Sequence, residues 1–155
     1  MPRTVTLTPG DVFEIKLNQA NSFGYLQYIY SHEMFGQCMR VLSGTYVNRP
    51  ELNELANKTE ITIVFFPLKY ALKDKDAVKI GNIDLPKNTD IPPRMRVRGL
   101  MKEDGSYSWS IWNGKRAEGK RMQGELTPDQ KKIPVLGTAN INAVREMIEG
   151  KWIFD

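Results

Sequence analysis

"TPGDVFEIKLNQANSFGYLQYIY", Thr8 to Tyr30, decides how this chain is read. Pro9-Gly10-Asp11 marks a turn. After it Phe13, Ile15 and Leu17 alternate with Glu14 and Lys16, the period of two expected of a strand with one buried face. "NQAN", residues 18–21, is a polar loop of hairpin length. Phe23 to Tyr30 then returns as a second strand. Phe23, Tyr25, Gln27 and Ile29 share one face, and Gly24, Leu26, Tyr28 and Tyr30 share the other. Such a pair of strands sets up a β-rich fold and raises the question of which rings are core. The expectation is that Phe23, Tyr25 and Ile29 pack inside, while Tyr28 and Tyr30 face outward toward a partner.

Reading outward, Phe35 to Leu42 is a third strand ended by Ser43-Gly44, which makes the opening a meander. Pro50 with Glu51 and Glu54 predicts one or two helical turns up to Lys58. "ITIVFFPL", Ile61 to Leu68, is apolar on both faces and predicts a central strand covered on both sides. Residues 69–93 are turn-rich and polar, a long surface connection with Val78 to Ile83 as a short edge strand. Thr127-Pro128 opens a short helix or turn. Ile141, Val144, Ile148 and Trp152 form an apolar stripe that Gly150 stops, predicting an amphipathic helix of about ten residues. No linker splits the chain. The fold class expected is α+β: one domain over 1–155, with a curved, mostly antiparallel, meander or barrel-like sheet and the C-terminal helix packed on it.

The stretch from Arg94 to Trp112 carries the most chemistry. Met95, Val97 and Met101 alternate with Arg94, Arg96 and Arg98; on the return Tyr107, Trp109 and Ile111 alternate with serines. A two-residue Asp104-Gly105 turn would mix the faces. A three-residue loop, Glu103-Asp104-Gly105 with Gly105 in the left-handed region, sets Met101 opposite Tyr107, Gly99 opposite Trp109 and Val97 opposite Ile111. The other face then holds Arg94, Arg96, Arg98 and Trp112, with Arg96 over the Trp112 indole, a cation–π pair worth roughly 0.5–1 kcal/mol when exposed. This face reads either as a binding surface or as a solvated sheet face with one Arg-covered ring.

Charge sharpens the interest of that stretch. The net charge of the 155 residues is +4, yet residues 94–121 alone carry eight basic against three acidic side chains. Such a patch suits nucleic acid, an acidic protein partner or plain solvent. No apolar run approaches the length of a membrane span, and the first ten residues show no signal-peptide pattern. A single cysteine, Cys38, excludes an internal disulfide and suits a reducing compartment, so a cytoplasmic location is expected.

Enzyme signatures are sparse. The one histidine, His32, stands beside Glu33 and has no second imidazole or thiol near it in sequence, so neither a metal site nor a convincing general base emerges. Cys38 sits in a strand pattern without a cationic neighbour and reads as a small core residue. "GTYVNRP" and "LGTAN" lack phosphate-loop spacing, and Asp74 to Asp76 lacks calcium-loop spacing. The expectation is a protein without catalysis, metal or cofactor.

"PGDVFEIKL" followed by "SFGYLQYI" resembles the opening of the immunity protein 26 family of bacterial polymorphic-toxin systems. The matching positions are Gly10, Asp11, Val12 and Phe13, then Phe23, Gly24 and Tyr25. "FFPLKYALKDKDAVKIGNIDLP" is similar to the family's middle, with Ile80, Gly81, Leu85 and Pro86 in its Ile-Gly-x-x-x-Leu-Pro run; the family's Trp before Ile-Gly is replaced here by Ala77-Val78-Lys79. The resemblance implies a cytosolic protein that binds and neutralises a cognate toxin by occlusion. Arginine and aromatic anchors dominate such contacts, which singles out Arg94, Arg96, Arg98 and Trp112, then Tyr28 and Tyr30. The alternative is a nucleic-acid-binding module using the basic 94–112 hairpin.

Overall fold

The computed structural model describes residues 6–112, 121–122 and 125–152. Its elements are β1 (Asp11–Lys16), β2 (Phe23–His32), β3 (Gly36–Leu42), α1 (Leu52–Ala56), β4 (Glu60–Phe66), α2 (Leu68–Lys73), β5 (Ala77–Asn82), β6 (Met95–Met101), β7 (Tyr107–Trp112), β8 (Arg121–Met122), α3 (Pro128–Lys131) and α4 (Ile141–Ile148). They form two compact units. One uses the chain up to Lys87 and again from Thr138 onward, and the other is Asn88–Gly137.

The first unit is α+β, built on a five-stranded sheet in the order β4-β3-β2-β1-β5 with every pairing antiparallel. The sheet curves without closing into a barrel. Its ladders are interrupted at Val12/Phe13, Tyr28/Tyr30 and Val41/Leu42. Each irregularity of this kind bends a strand and increases its twist. One face is covered by α4: Val144, Met147 and Ile148 join Phe13, Ile15, Leu26, Met39 and Phe66 in the main core. Gly24 on β2 makes the approach possible, because a Cβ there would lie 2.7 Å from Ile148 Cδ1. The opposite face carries a smaller cluster of Val12, Tyr25, Leu42 and Leu55, the last from α1.

Two expectations need correction. The apolar run at Ile61 is an edge strand, and β2 is the central one. β4 is apolar on both faces because both are covered, while its outer backbone is partly paired: Phe65 O accepts from Ala139 N at 2.8 Å beside a parallel bridge to Thr138. The C-terminal helix is shorter than the stripe suggested. It ends at Ile148, Gly150 takes φ +75°, and Trp152 lies beyond it, exposed.

The two runs that carry the family resemblance lie side by side. Asp11 pairs with Asn82 and Val12 with Gly81 across β1–β5. Gly10, at φ +96°, donates its amide to Tyr28 O and accepts Ile83 N. A Cβ there would collide with the Ile83 carbonyl, which explains glycine at this position. The Asp11 carboxylate accepts from Thr8 N (2.8 Å) and Asn82 Nδ2 (3.0 Å) and pairs with Lys79 Nζ (3.2 Å). The motif residues are thus a clasp between strand starts and ends.

The second unit holds the sheet β6-β7-β8 and α3. Thr127 caps α3 as the sequence predicts, in a capping box with Gln130, with Pro128 in the first turn.

Candidate binding surface

The hairpin begins as expected. Gly105 takes φ +86°, Lys102 N donates to Ser106 O (2.6 Å), and Met101 faces Tyr107. The Asp104 carboxylate accepts from the Ser106 hydroxyl (2.6 Å) and amide (2.9 Å), which hold its pKa below the ordinary aspartate value.

Beyond Met101 the register slips by one residue, and this corrects the predicted face. Gly99 and Leu100 together oppose Ser108, so Arg98 faces Trp109, Arg96 faces Ile111 and Met95 faces Trp112. A Cβ on Gly99 would collide with Ser108 Oγ. The glycine accommodates a bulge, rather than leaving room for an indole as the regular ladder required. The bulge redistributes the rings. Arg96, Arg98, Tyr107, Trp109 and Ile111 share one face, while Met95 and Trp112 pair on the other and are buried.

On the first face two guanidinium groups lie over two rings. Arg96 Cζ is 4.4 Å from the Trp109 centroid; Arg98 Cζ is 4.6 Å from Tyr107 and 5.5 Å from Trp109. The two arginines differ in task. Arg96 is only 4% exposed, and its Nε donates to Ile133 O (2.7 Å) and its Nη2 to Lys131 O (3.4 Å). Its main chain pairs with the same segment, N to Pro134 O and O from Leu136 N. Burial, then the neighbouring Arg98 charge, lower its pKa from the ordinary arginine value, yet a guanidinium remains charged. Arg96 therefore clamps residues 131–136 onto β6. Arg94 and Arg98 are exposed, as are Leu100 (85%) and Met101 (64%), with Tyr107 beside them.

Trp112 and Arg96 are thereby removed from the accessible surface expected for them, while Leu100, Met101, Tyr107 and Trp109 join it. Gly99 was the signal for the change, since glycine inside a strand pattern marks a bulge as readily as it marks space.

A bulge also separates the two tyrosines. Tyr28 pairs with Met39 but Tyr30 with Cys38, so Ile29 is the additional residue. Tyr28 is buried under α4, its hydroxyl 2.7 Å from Ser31 Oγ. Tyr30 turns to the opposite face against Phe65, ring centroids 6.2 Å apart, and burial pushes its phenol up to about 12. The expected outward pair does not form. Tyr25, Ile29 and Cys38 are core as expected, and burial pushes the Cys38 thiol up to about 12. Among the described residues no three His, Cys, Asp or Glu side chains gather where they can hold a metal ion, and no helix is long and apolar enough to cross a membrane. No family model, curated protein or solved structure matches the chain.

Proposed function

We propose that this chain is a cytoplasmic immunity protein that binds a cognate toxin domain and neutralises it by occlusion, using the β6–β7 hairpin as contact surface. The observation that carries the proposal is the composition of the hairpin face. Arg98 is ordered on two rings, beside Leu100, Met101 and Tyr107, in a stretch with a strong basic excess. Aromatic and arginine anchors next to exposed apolar side chains are what a protein–protein contact needs at its centre. The positive charge selects partners with an acidic contact surface and speeds their encounter. The resemblance of Gly10–Phe13, Phe23–Tyr25 and Ile80–Pro86 to the immunity protein 26 family supports the biological role.

The competing proposal is a nucleic-acid-binding module, favoured by the basic stretch and the accessible rings. One experiment separates the two. Tagged protein is used to capture partners at low and high salt, and the captured protein is expressed alone and together with this chain. Immunity requires that the partner arrests growth alone, that co-expression rescues it, and that Arg98→Glu/Leu100→Ser abolishes both capture and rescue. A harmless partner sinks the immunity role. Recovery of heterogeneous RNA or DNA only, lost at high salt, makes the nucleic-acid module the answer.

A further inference from the structure

The hairpin face holds one group that oxidants can alter covalently. Met101 stands opposite Tyr107, on the face that carries Arg98 and Trp109, and is 64% exposed beside Leu100. Met39, Met95 and Met147 are buried, at 6% exposure or less. Among the methionines whose side chains are described, Met34, on the β2–β3 turn of the first unit, is the other accessible thioether, at 81%. The one thiol of the chain, Cys38, is fully buried and held protonated, so it does not compete for an oxidant.

A thioether sulfur carries no proton, so access to an oxidant, rather than pH, governs its reaction. With a hydroperoxide the step is balanced without a cofactor. The Met101 sulfur attacks the terminal oxygen, an S–O bond forms and the O–O bond breaks. The thioether is oxidised to a sulfoxide, and the hydroperoxide is reduced to its alcohol, which keeps the proton of the transferred hydroxyl. The product has the length of methionine but carries a strongly polar S=O group in place of a soft apolar sulfur. Within a contact that group must give up its water, which costs affinity unless the partner offers a donor.

We propose that oxidation of the Met101 thioether by a hydroperoxide switches off the hairpin's contact with its protein partner, and that reduction of the sulfoxide restores it. The proposal rests on the reading of the hairpin as the contact surface. In the reverse step two thiols of a reductant form a disulfide, and the sulfoxide oxygen leaves as water. Oxidation leaves the charge of the face unchanged. Encounter with an acidic partner therefore proceeds at the same rate, and the loss falls on the lifetime of the complex. Leu100, next in the chain, offers apolar surface of the same kind with no atom to oxidise, so the sensitivity belongs to Met101 alone on this strand end.

The test uses the full chain and, as probe, the purified protein that wild type captures in the experiment above. Wild type, Met101→Leu and Met34→Leu are treated with tert-butyl hydroperoxide, freed of oxidant and bound to the untreated probe by surface plasmon resonance. Peptide mass spectrometry is expected to find sulfoxide at Met101 and Met34 while Met39, Met95 and Met147 stay reduced. Oxidised wild type and oxidised Met34→Leu should dissociate about fivefold faster or more, with association little changed, and oxidised Met101→Leu should bind as before treatment. Met101→Gln, polar at the same length without any oxidant, should dissociate as fast as oxidised wild type. Methionine sulfoxide reductases for both epimers, with dithiothreitol, should restore the oxidised wild type. The proposal is overturned if Met101 stays reduced while Met34 is oxidised, if oxidised wild type binds unchanged, or if oxidised Met101→Leu loses binding too. A probe that responds as expected but does not arrest growth removes the immunity role and leaves the switch standing. A wild type that captures no protein overturns the contact surface and the switch with it.

Discussion

At the scale of single residues, carboxylates and glycines do most of the positioning. Asp11 is pushed up by burial, but Asn82, the Thr8 amide and Lys79 outweigh that, leaving its pKa below the ordinary value. Glu14 is lowered chiefly by Arg49, which meets it through two nitrogens at 2.9 and 3.0 Å; burial works against this, and the Tyr25 hydroxyl at 2.8 Å adds to it. Both folded pKa values lie below the unfolded ones, so the stabilisation is present above the unfolded values near 4 and is lost as pH falls through the folded ones. We therefore expect Asp11→Asn/Glu14→Gln to be less stable than wild type at pH 7, with the gap closing towards about pH 2. Urea titrations at several pH values check this, and a gap independent of pH refutes it. Cys38, fully buried with its thiol raised to about 12, is expected to resist a thiol reagent until the protein unfolds. Gly10→Ala forces a side chain into the Ile83 carbonyl at positive φ and is expected to cost about 1–3 kcal/mol or more, read from denaturant midpoints.

At the scale of elements, α4 shows how local signals and packing divide the work. Asn140 caps it by accepting from Ala143 N at 2.8 Å, and Asn140→Ala should cost about 1 kcal/mol. Ile148→Ala removes buried contacts in the main core, beside Gly24 of β2, and should cost about 2–5 kcal/mol, set by how far the core relaxes. The hairpin is the second case. Its turn was legible because Gly105 follows Asp104 at the loop length that needs a left-handed residue. The bulge had a signal in Gly99, but an ambiguous one, because a regular ladder kept every apolar side chain on one face and looked better by hydrophobic pattern alone. What favours the slip is Arg96. Its guanidinium and amide bond the carbonyls of Lys131, Ile133 and Pro134 and its own carbonyl accepts from Leu136 N, all far away in sequence, and no local pattern contains that information.

At the scale of the molecule, the binding roles predict opposite behaviour for two arginines that look alike in sequence. Arg98→Glu/Leu100→Ser alters exposed groups and should leave the melting temperature nearly unchanged while abolishing partner capture. Arg96→Glu places an anion against two carbonyl groups in a buried site and should destabilise the second unit by about 3–5 kcal/mol, seen as an early transition in denaturation. Equal loss of stability in both variants would show that the hairpin face is structural.

By itself, the sequence determined the class of the fold. Alternation made β1, β2 and β3 strands, Pro and Gly placed the turns, Thr127 and the stripe at Ile141 placed two helices, and the count of apolar residues required a core. It also determined where charge accumulates. Strand order, which placed β4 at an edge, and the bulges at Ile29 and Gly99 were decided only in three dimensions. The physical reason is that a strand's two faces are equivalent until a neighbour covers one of them. A one-residue bulge costs little locally and is selected by packing and hydrogen bonds from segments far along the chain. Which tyrosine, arginine and tryptophan side chains are buried follows from those bulges, and so their burial was decided by the tertiary structure.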